Sequence, residues 1–120
     1  MRGEQYLTKP AQYALVYNKG SSGVNNLLVM KALANGLGLS RYGFSVGRRV
    51  GKAVVRNRAK RRLREIMRST SPQPGWDIVF IARSRAAGVN YTELEAAARD
   101  LLHRAGLLVE SYEKVGLRSD

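Results

Sequence analysis

Lysine and arginine side chains are concentrated between residues 47 and 66, in the stretch GRRVGKAVVRNRAKRRLREI. Nine of these twenty residues are basic, seven of them arginine, and the one acid among them is Glu65. Close like charges repel one another by about 1 kcal/mol per pair in water, and an anionic partner would relieve that repulsion. Arginine favours phosphate as this partner, because its planar guanidinium donates paired hydrogen bonds to phosphate and stacks on nucleobases.

The distribution of charge along the chain supports a nucleic-acid partner. The formal net charge is +12, and residues 5–64 hold thirteen Lys or Arg and no Asp or Glu. Residues 65–120 are close to neutral. A folded domain with one half this basic usually binds a polyanion, which could be nucleic acid, an anionic membrane or an acidic protein. Nucleic acid is the favoured member of this group.

Residues that could perform catalysis are scarce. The chain has no cysteine and a single histidine, His103, which we expect on the surface. Thiol chemistry and Cys-based zinc sites are therefore excluded. Asp77 is interpreted as structural, and no pair of carboxylates stands out as a general acid and base. The segment GRRVGKA is similar to a P-loop, but Ala53 replaces the hydroxyl residue that would hold Mg²⁺. We expect no catalytic residues, no metal site and no small-molecule cofactor in the protein.

The hydrophobic pattern predicts the elements that must position these side chains. Thr8 is expected to cap the first helix, and Asn90 with Glu93 to form a capping box on the last. The run WDIVFIA is typical of a strand buried on both faces. Residues 20–26 are predicted as a turn. In chain order the predicted elements are a helix (8–19), strands (27–33 and 42–46), a helix (52–68), a strand (76–82) and a helix (91–105).

Length and composition indicate one domain, residues 1–120, with a core of about residues 7–108 and a frayed tail beyond Val109. The chain is 44% hydrophobic, enough for a real core. The element order predicts an α/β sandwich with helices packed on a mixed sheet. No apolar run approaches the length of a membrane span, and the first residues lack the apolar region of a signal peptide. We therefore expect a cytoplasmic protein without a membrane partner.

The basic helix separates into two faces. Val55, Ala59, Leu63 and Ile66 fall within about a quarter of its circumference and predict the core side. A solvated polar face is the alternative explanation for the remaining charges. It is disfavoured because no acid precedes Glu65 to form pairs one turn apart, and because the helix dipole opposes basic charge near the first turn.

The segment VGKAVVRNRAKRRLRE resembles the RNR-motif helix of the bacterial ribonuclease P protein subunit, with Arg56-Asn57-Arg58 as the triplet. The resemblance extends over about residues 7–108. LTKPAQYALVYNKG is similar to the family's first helix, and YGFSVGRRVGKAVVRNR to its passage from strand to helix. WDIVFIARSRAA is similar to the family's last strand, and NYTELEAAARDLLHRAGL to its last helix.

This resemblance implies a fold and a function. The family fold is an α/β sandwich with a left-handed βαβ crossover, ribosomal protein S5 domain 2-like. The family's holoenzyme is a ribonucleoprotein endonuclease that removes the 5′ leader of precursor tRNA, and its RNA subunit performs the chemistry with Mg²⁺. The protein subunit binds ribonuclease P RNA through the RNR helix. It contacts the leader in a cleft between the first helix and one face of the sheet.

The resemblance also assigns roles to individual residues. Tyr13 and Tyr17 would stack on leader nucleotides, although tyrosines four residues apart on a helix are often core residues. Lys31 stands where an aromatic residue is expected, so a phosphate contact could replace stacking there. The catalytic-RNA set is Arg48, Arg49, Lys52, Arg56, Asn57, Arg58, Lys60, Arg61, Arg64 and Arg68; the leader set is Tyr13, Tyr17, Lys31, Ser45 and Arg83.

Two other functions remain possible at this point. A ribosomal-type structural RNA-binding protein would have similar basic residues, and a duplex DNA reader would place the basic helix in a major groove.

Overall fold

The computed structural model describes residues 5–108, so the predicted frayed tail lies outside the described residues. Two short 3-10 turns, Arg48–Val50 and Ser84–Gly88, precede the second and third helices. Within the described range the elements are α1 (Pro10–Lys19), β1 (Ser21–Val24), β2 (Leu28–Ala34), β3 (Arg41–Ser45), α2 (Ala53–Thr70), β4 (Trp76–Ala82) and α3 (Tyr91–Arg104).

The strands form one mixed sheet in the order β1-β2-β4-β3. Strand β2 pairs antiparallel with β1 and β4, whereas β3 pairs parallel with β4. Parallel neighbours require a crossover connection, and α2 supplies it between β3 and β4. The predicted fold class, helices on a mixed sheet, is therefore confirmed.

Helices cover the sheet on both faces. Leu28, Met30 and Ala32 point to one face, where α2 and α3 complete the main core with fully buried residues such as Leu63 and Leu101. On the opposite face α1 packs through Val16, which is fully buried against Val79. The side chains that alternate with the core residues of β2 therefore lie on the face that carries α1.

Strand β1 was predicted as part of a turn, and that prediction was wrong. The sequence Ser21–Val24 lacks apolar alternation because β1 is a short edge strand with mostly exposed residues. Pairing with β2, in which Gly23 lies opposite Met30, defines it as a strand. Backbone hydrogen bonds form the pairing, and the side chains carry no signal of it.

The predicted N-terminal cap is correct for α3 and wrong for α1. The backbone N–H of Glu93 donates to Asn90 Oδ1 (2.9 Å) and that of Asn90 donates to Glu93 Oε1 (3.1 Å), which confirms the predicted capping box. Helix α1 instead begins at Pro10 after Lys9, so Thr8 is not its cap. The side chain of Gln12 accepts from the backbone N–H of Thr8 (2.8 Å), which displaces the predicted cap.

Asp77 is structural, as predicted. It is 4% exposed at the start of β4. Arg41 donates to both of its carboxylate oxygens, from Nε (2.9 Å) and Nη2 (2.8 Å), and Asn35 donates from Nδ2 (2.8 Å). The hydrogen bond that Arg41 donates to Asp77 raises the pKa of the Arg41 guanidinium, which therefore stays charged. This network ties the β2–β3 loop to the first residues of β4.

Replacing Asp77 by alanine is expected to lower the free energy of unfolding by about 2 kcal/mol, because a half-buried guanidinium would lose its partner. Urea denaturation monitored by circular dichroism measures this loss. Asp100→Ala is the matched control, since Asp100 pairs with Arg104 at 2.7 Å but is 45% exposed. Equal losses for the two variants would contradict a special role for the Asp77 network.

Candidate nucleic-acid interface

The exposed side of α2 is a basic surface. A turn at Gly51, whose φ of 148° suits glycine, leads from the 3-10 turn into the helix. Ala59, Leu63 and Ile66 are buried and Val55 is half-buried, which confirms the predicted core side. The exposed residues of the catalytic-RNA set on α2 are Asn57, Arg58, Arg61, Arg64 and Arg68, and Lys52 is exposed just before the helix.

Two arginines of α2 donate hydrogen bonds to backbone carbonyls of the protein itself. The half-buried Arg56 donates from Nε to the carbonyl of Gly51 (3.1 Å), although its membership of the RNR triplet predicted an RNA contact. Arg62 donates from Nη1 to the carbonyl of Val89 (3.0 Å). Arg56 precedes Leu63 by seven residues, about two helical turns, so it emerges near the core side. Arg58 and Arg61, by contrast, are exposed.

A cavity of about 320 Å³, here called the Tyr13 cavity, brings together the two predicted residue sets. Lys60 and Arg64, from the catalytic-RNA set, line it together with Tyr13, from the leader set. In the sequence analysis these residues were predicted to belong to two different contact surfaces. The remaining lining residues come from the N-terminal segment and β3: Tyr6, Leu7, Tyr42 and Phe44.

Tyr13 is fixed at the wall of this cavity. Its ring lies so close to Gly43 that a Cβ atom there would be 2.6 Å from Tyr13 Cε1. Burial raises the pKa of the Tyr13 phenol above its ordinary value, so the hydroxyl stays protonated and can donate a hydrogen bond at neutral pH. Tyr17, whose ring centroid lies 6.3 Å away, is 39% exposed. Neither ring belongs to the fully buried core, which disfavours the purely structural interpretation.

Lys31 and Ser45 lie on the sheet face that carries α1. Lys31 is opposite Val79, and Ser45 is opposite Ile81, both of which belong to that face. Ser45 also lines a cavity of about 370 Å³, here called the Ser45 cavity, together with Arg48 and Arg49 of the 3-10 turn. Lys31, Ser45 and Ile81 are all half-buried on this face.

Arg83 follows β4 at the same end of the sheet. It is exposed, but its Nη1 donates to the carbonyl of Asn25 at 2.6 Å and thereby holds the β1–β2 turn. The structure therefore gives Arg83 a structural contact and leaves part of its side chain accessible.

Tyr6 lies at the Tyr13 cavity, and the sequence did not indicate it. The backbone N–H of Leu7 donates to the carbonyl of Tyr42 (2.8 Å), which lays the N-terminal segment along the edge of β3. The ring centroid of Tyr6 lies 6.4 Å from that of Phe44. The available signal was an aromatic and an apolar residue just before α1, a pattern that often packs against the helix start.

Other features of the described residues bear on metal binding and membranes. Within residues 5–108 no group of three or more acidic or histidine side chains is placed to hold a metal ion. His103 is exposed, as predicted. In this same part of the chain, each helix is too short or too polar to cross a bilayer.

Comparison with known proteins identifies the family. The family model described as Ribonuclease P matches residues 1–106. The chain belongs to the ribonuclease P protein family. A ribonuclease P protein component of Dehalococcoides mccartyi strain CBDB1 is 46% identical over 120 residues, covering all of both chains. One from Roseiflexus castenholzii is 44% identical over 111 residues, covering 90% of this chain and 91% of the relative.

Solved structures of this family have the same fold. A Staphylococcus aureus RNase P protein mutant matches with a TM-score of 0.82 and 28% identity, over 88% of this chain and 92% of that one. The Thermotoga maritima RNase P protein matches with a TM-score of 0.76 and 32% identity, over 82% and 96%. The resemblance to this family, first indicated by the RNR segment, is thus confirmed and extends over nearly the whole chain.

Family membership establishes the general function. The chain is the protein component of a metal-dependent ribonucleoprotein endoribonuclease that acts in tRNA 5′ processing, and a ribonuclease P RNA is its implied partner. The ribosomal and DNA-binding alternatives are set aside accordingly.

Proposed function

We propose that the protein binds ribonuclease P RNA through the exposed side of α2 and the 5′ leader of precursor tRNA in the cleft between α1, α2 and the sheet. The observation that carries this proposal is the Tyr13 cavity, where Tyr13, Lys60 and Arg64 line one space. An aromatic ring beside two cations suits single-stranded RNA, because the ring can stack on a base and the cations can contact phosphates.

The catalytic-RNA contact is assigned to the outermost basic residues. Asn57, Arg58 and Arg61 are exposed on α2, and Arg61 lies between the other two around the helix. Phosphates bound here would relieve the repulsion among like charges that the folded helix holds close together. Lys52, Arg48 and Arg49 extend this surface from the start of α2 to the 3-10 turn. Arg56 contributes to it chiefly by fixing that turn, through the carbonyl of Gly51.

The leader is assigned to the face that carries α1. Tyr13 and the exposed Tyr17 offer two rings on which bases can stack. Lys60 and Arg64 supply phosphate contacts beside Tyr13, a role that adds to their expected contact with the catalytic RNA. Lys31 and Ser45 continue the cleft across the sheet, where Lys31 would contact a phosphate in place of an aromatic stack. Arg83 lies at the end of this path.

Mg²⁺ is assigned to the RNA. The cavities are lined by arginine, lysine and tyrosine, which do not fit a cation whose protein ligands are carboxylate and carbonyl oxygens. The protein instead contributes fixed positive charge between two polyanions. We expect this charge to lower the Mg²⁺ concentration that RNA folding and substrate binding require, in the cytoplasm where the RNA and precursor tRNA meet.

Reconstitution tests the proposal. The protein is mixed with a bacterial ribonuclease P RNA, and cleavage of a precursor tRNA is measured at low Mg²⁺. Strong stimulation over the RNA alone is expected, and a duplex DNA competitor should displace little of the protein. No stimulation at any Mg²⁺ concentration would overturn the proposal.

Arg61 and Arg62 form a matched pair that tests the RNA-binding surface. Arg61→Ala is expected to weaken holoenzyme assembly and to reduce the slope of log K against log salt by about 0.7 to 0.9, one phosphate contact. Arg62→Ala removes the same charge, but it should chiefly lower stability, because the carbonyl of Val89 loses its donor. Filter binding across a salt series measures the slopes. Equal changes would show that charge alone, without position, determines assembly.

A further inference from the structure

A second cavity adjoins the Tyr13 cavity along the same side of α2. It has a volume of about 180 Å³ and is here called the Arg68 cavity. Tyr6 and Tyr42 line both cavities, so the two spaces meet at these rings. Nothing in the leader or catalytic-RNA sets, apart from Arg68 itself, belongs to this second space.

The ring of Tyr6 is held in place between the two cavities. The Leu7–Tyr42 backbone hydrogen bond anchors the segment, Leu7 is 5% exposed, and Phe44 packs near the ring. A ring fixed before binding loses little conformational entropy when a base stacks on it. Tyr6 therefore offers a prepared stacking surface at the entrance of the Arg68 cavity.

The cations along this side of α2 are regularly spaced. Lys60, Arg64 and Arg68 recur every four residues, so each side chain begins about 6 Å further along the helix than the one before. The first two line the Tyr13 cavity and the third lines the Arg68 cavity. Glu65 lies 3.8 Å from Arg68, but both side chains are more than half exposed, so this pair is weak and leaves Arg68 available.

The size of the Arg68 cavity suits one aromatic ring system. A cavity of about 150 Å³ accommodates benzene, and the Arg68 cavity exceeds that volume. The exposed guanidinium of Arg68 lies at its rim, where a sugar-phosphate would remain in solvent. Each cavity thus pairs an aromatic wall with a cation, in the order that a single strand presents successive bases and phosphates.

We propose that the Arg68 cavity binds one further nucleotide of the strand whose neighbour occupies the Tyr13 cavity, with its base on Tyr6 and its phosphate on Arg68. This inference rests on the proposed leader site, and it moves Arg68 from the catalytic-RNA set to the leader path. The footprint of the protein on the leader then includes a nucleotide that α1 and the sheet face do not touch.

A leader-length series tests this subsite. Precursor tRNAs whose leaders differ by single nucleotides are titrated against the reconstituted holoenzyme. At one length the wild-type affinity should rise by about fivefold or more, as expected for one stacked base. Arg68→Ala should remove that step and leave mature tRNA and shorter leaders unaffected. Tyr6→Leu should also remove the step and leave mature tRNA unaffected, although it can weaken shorter leaders because Tyr6 also lines the Tyr13 cavity. Tyr6→Phe, which keeps the ring, should retain the step.

Arg85→Ala is the matched charge control, because Arg85 is exposed in the 3-10 turn after β4 and lines neither cavity. Arg85→Ala should keep the step. Circular dichroism checks that Tyr6→Leu is folded. If it is not, Arg68→Ala still tests the subsite, because the Arg68 side chain is exposed.

The outcomes separate the two proposals. If Tyr13→Ala weakens precursor and mature tRNA binding equally, or weakens neither, the leader site itself is wrong. If Tyr13→Ala weakens precursor binding alone but the affinity step persists in Tyr6→Leu and Arg68→Ala, the extra subsite is wrong. Equal weakening of assembly and of both substrates by Arg68→Ala would return Arg68 to the catalytic-RNA surface and also overturn the inference.

Discussion

Replacing Gly20 by alanine is expected to lower the free energy of unfolding by about 3 kcal/mol, one of the largest effects available from a single methyl group. A Cβ atom at Gly20 would lie 2.6 Å from the carbonyl oxygen of Val16 and 2.8 Å from that of Ala32. These are backbone atoms of α1 and β2, so relief requires α1 to move away from the sheet. The φ of −78° is ordinary for alanine, and the penalty is therefore steric.

Thermal and urea denaturation measure this loss, and the melting temperature should fall by about 10 °C. Gly38→Ala is the control, because a Cβ atom there meets nothing within 4 Å. A Gly20→Ala variant as stable as Gly38→Ala would show that α1 is not seated on β2 as closely as described. Since α1 forms one wall of the proposed leader cleft, a stable variant with a displaced α1 should also lose precursor affinity.

The elements that were predicted correctly are those in which the pattern of apolar and polar residues follows the burial of the side chains. Helix α2 has apolar residues on one side and arginines on the other, so its span and core side followed from a period of 3.6 residues. Strand β4 is a continuous apolar run because helices cover both faces of the sheet around it. In both elements burial by neighbours leaves a direct trace in the order of residues.

The remaining features depend on tertiary contacts that leave little trace. Strand β1 is polar and exposed, so only its backbone pairing with β2 defines it. Along α2, Lys60 and Arg61 were both predicted to contact the catalytic RNA. One residue of rotation, about 100°, turns Lys60 toward the Tyr13 cavity and Arg61 toward solvent.

The Tyr13 cavity itself could not be predicted from local patterns. Tyr6, Tyr13 and Lys60 come from three distant segments, and they meet because α2 crosses beside β3 while the N-terminal segment lies along that strand's edge. The resemblance to the family supplied the separate residue sets. Their convergence is a property of the fold, and for this reason the proposed catalytic-RNA and leader contacts do not divide cleanly between α2 and α1.

Tyr13→Ala is expected to reduce the affinity of the holoenzyme for precursor tRNA by about tenfold and to leave mature tRNA binding nearly unchanged. Loss of one stacked base accounts for an effect of this size. Mature tRNA has no leader and should not sense the change. Parallel titrations of the two RNAs measure the difference, and Tyr17→Ala should give a smaller effect in the same direction, because its ring is less enclosed.

Gly43→Ala provides an independent route to the same result, because it leaves the tyrosine in the chain and changes where its ring lies. The new Cβ atom would overlap Tyr13 Cε1, Cζ and Oη at 2.6 to 2.8 Å, and the overlap involves a side chain that can swing away. The fold should therefore survive while the ring leaves its position beside Arg64. Precursor affinity should fall, and adding Gly43→Ala to Tyr13→Ala should cause little further loss, since the ring is already absent. Additive losses in the double variant, or equal losses for precursor and mature tRNA, would mean that Gly43 acts on the sheet rather than on the position of Tyr13.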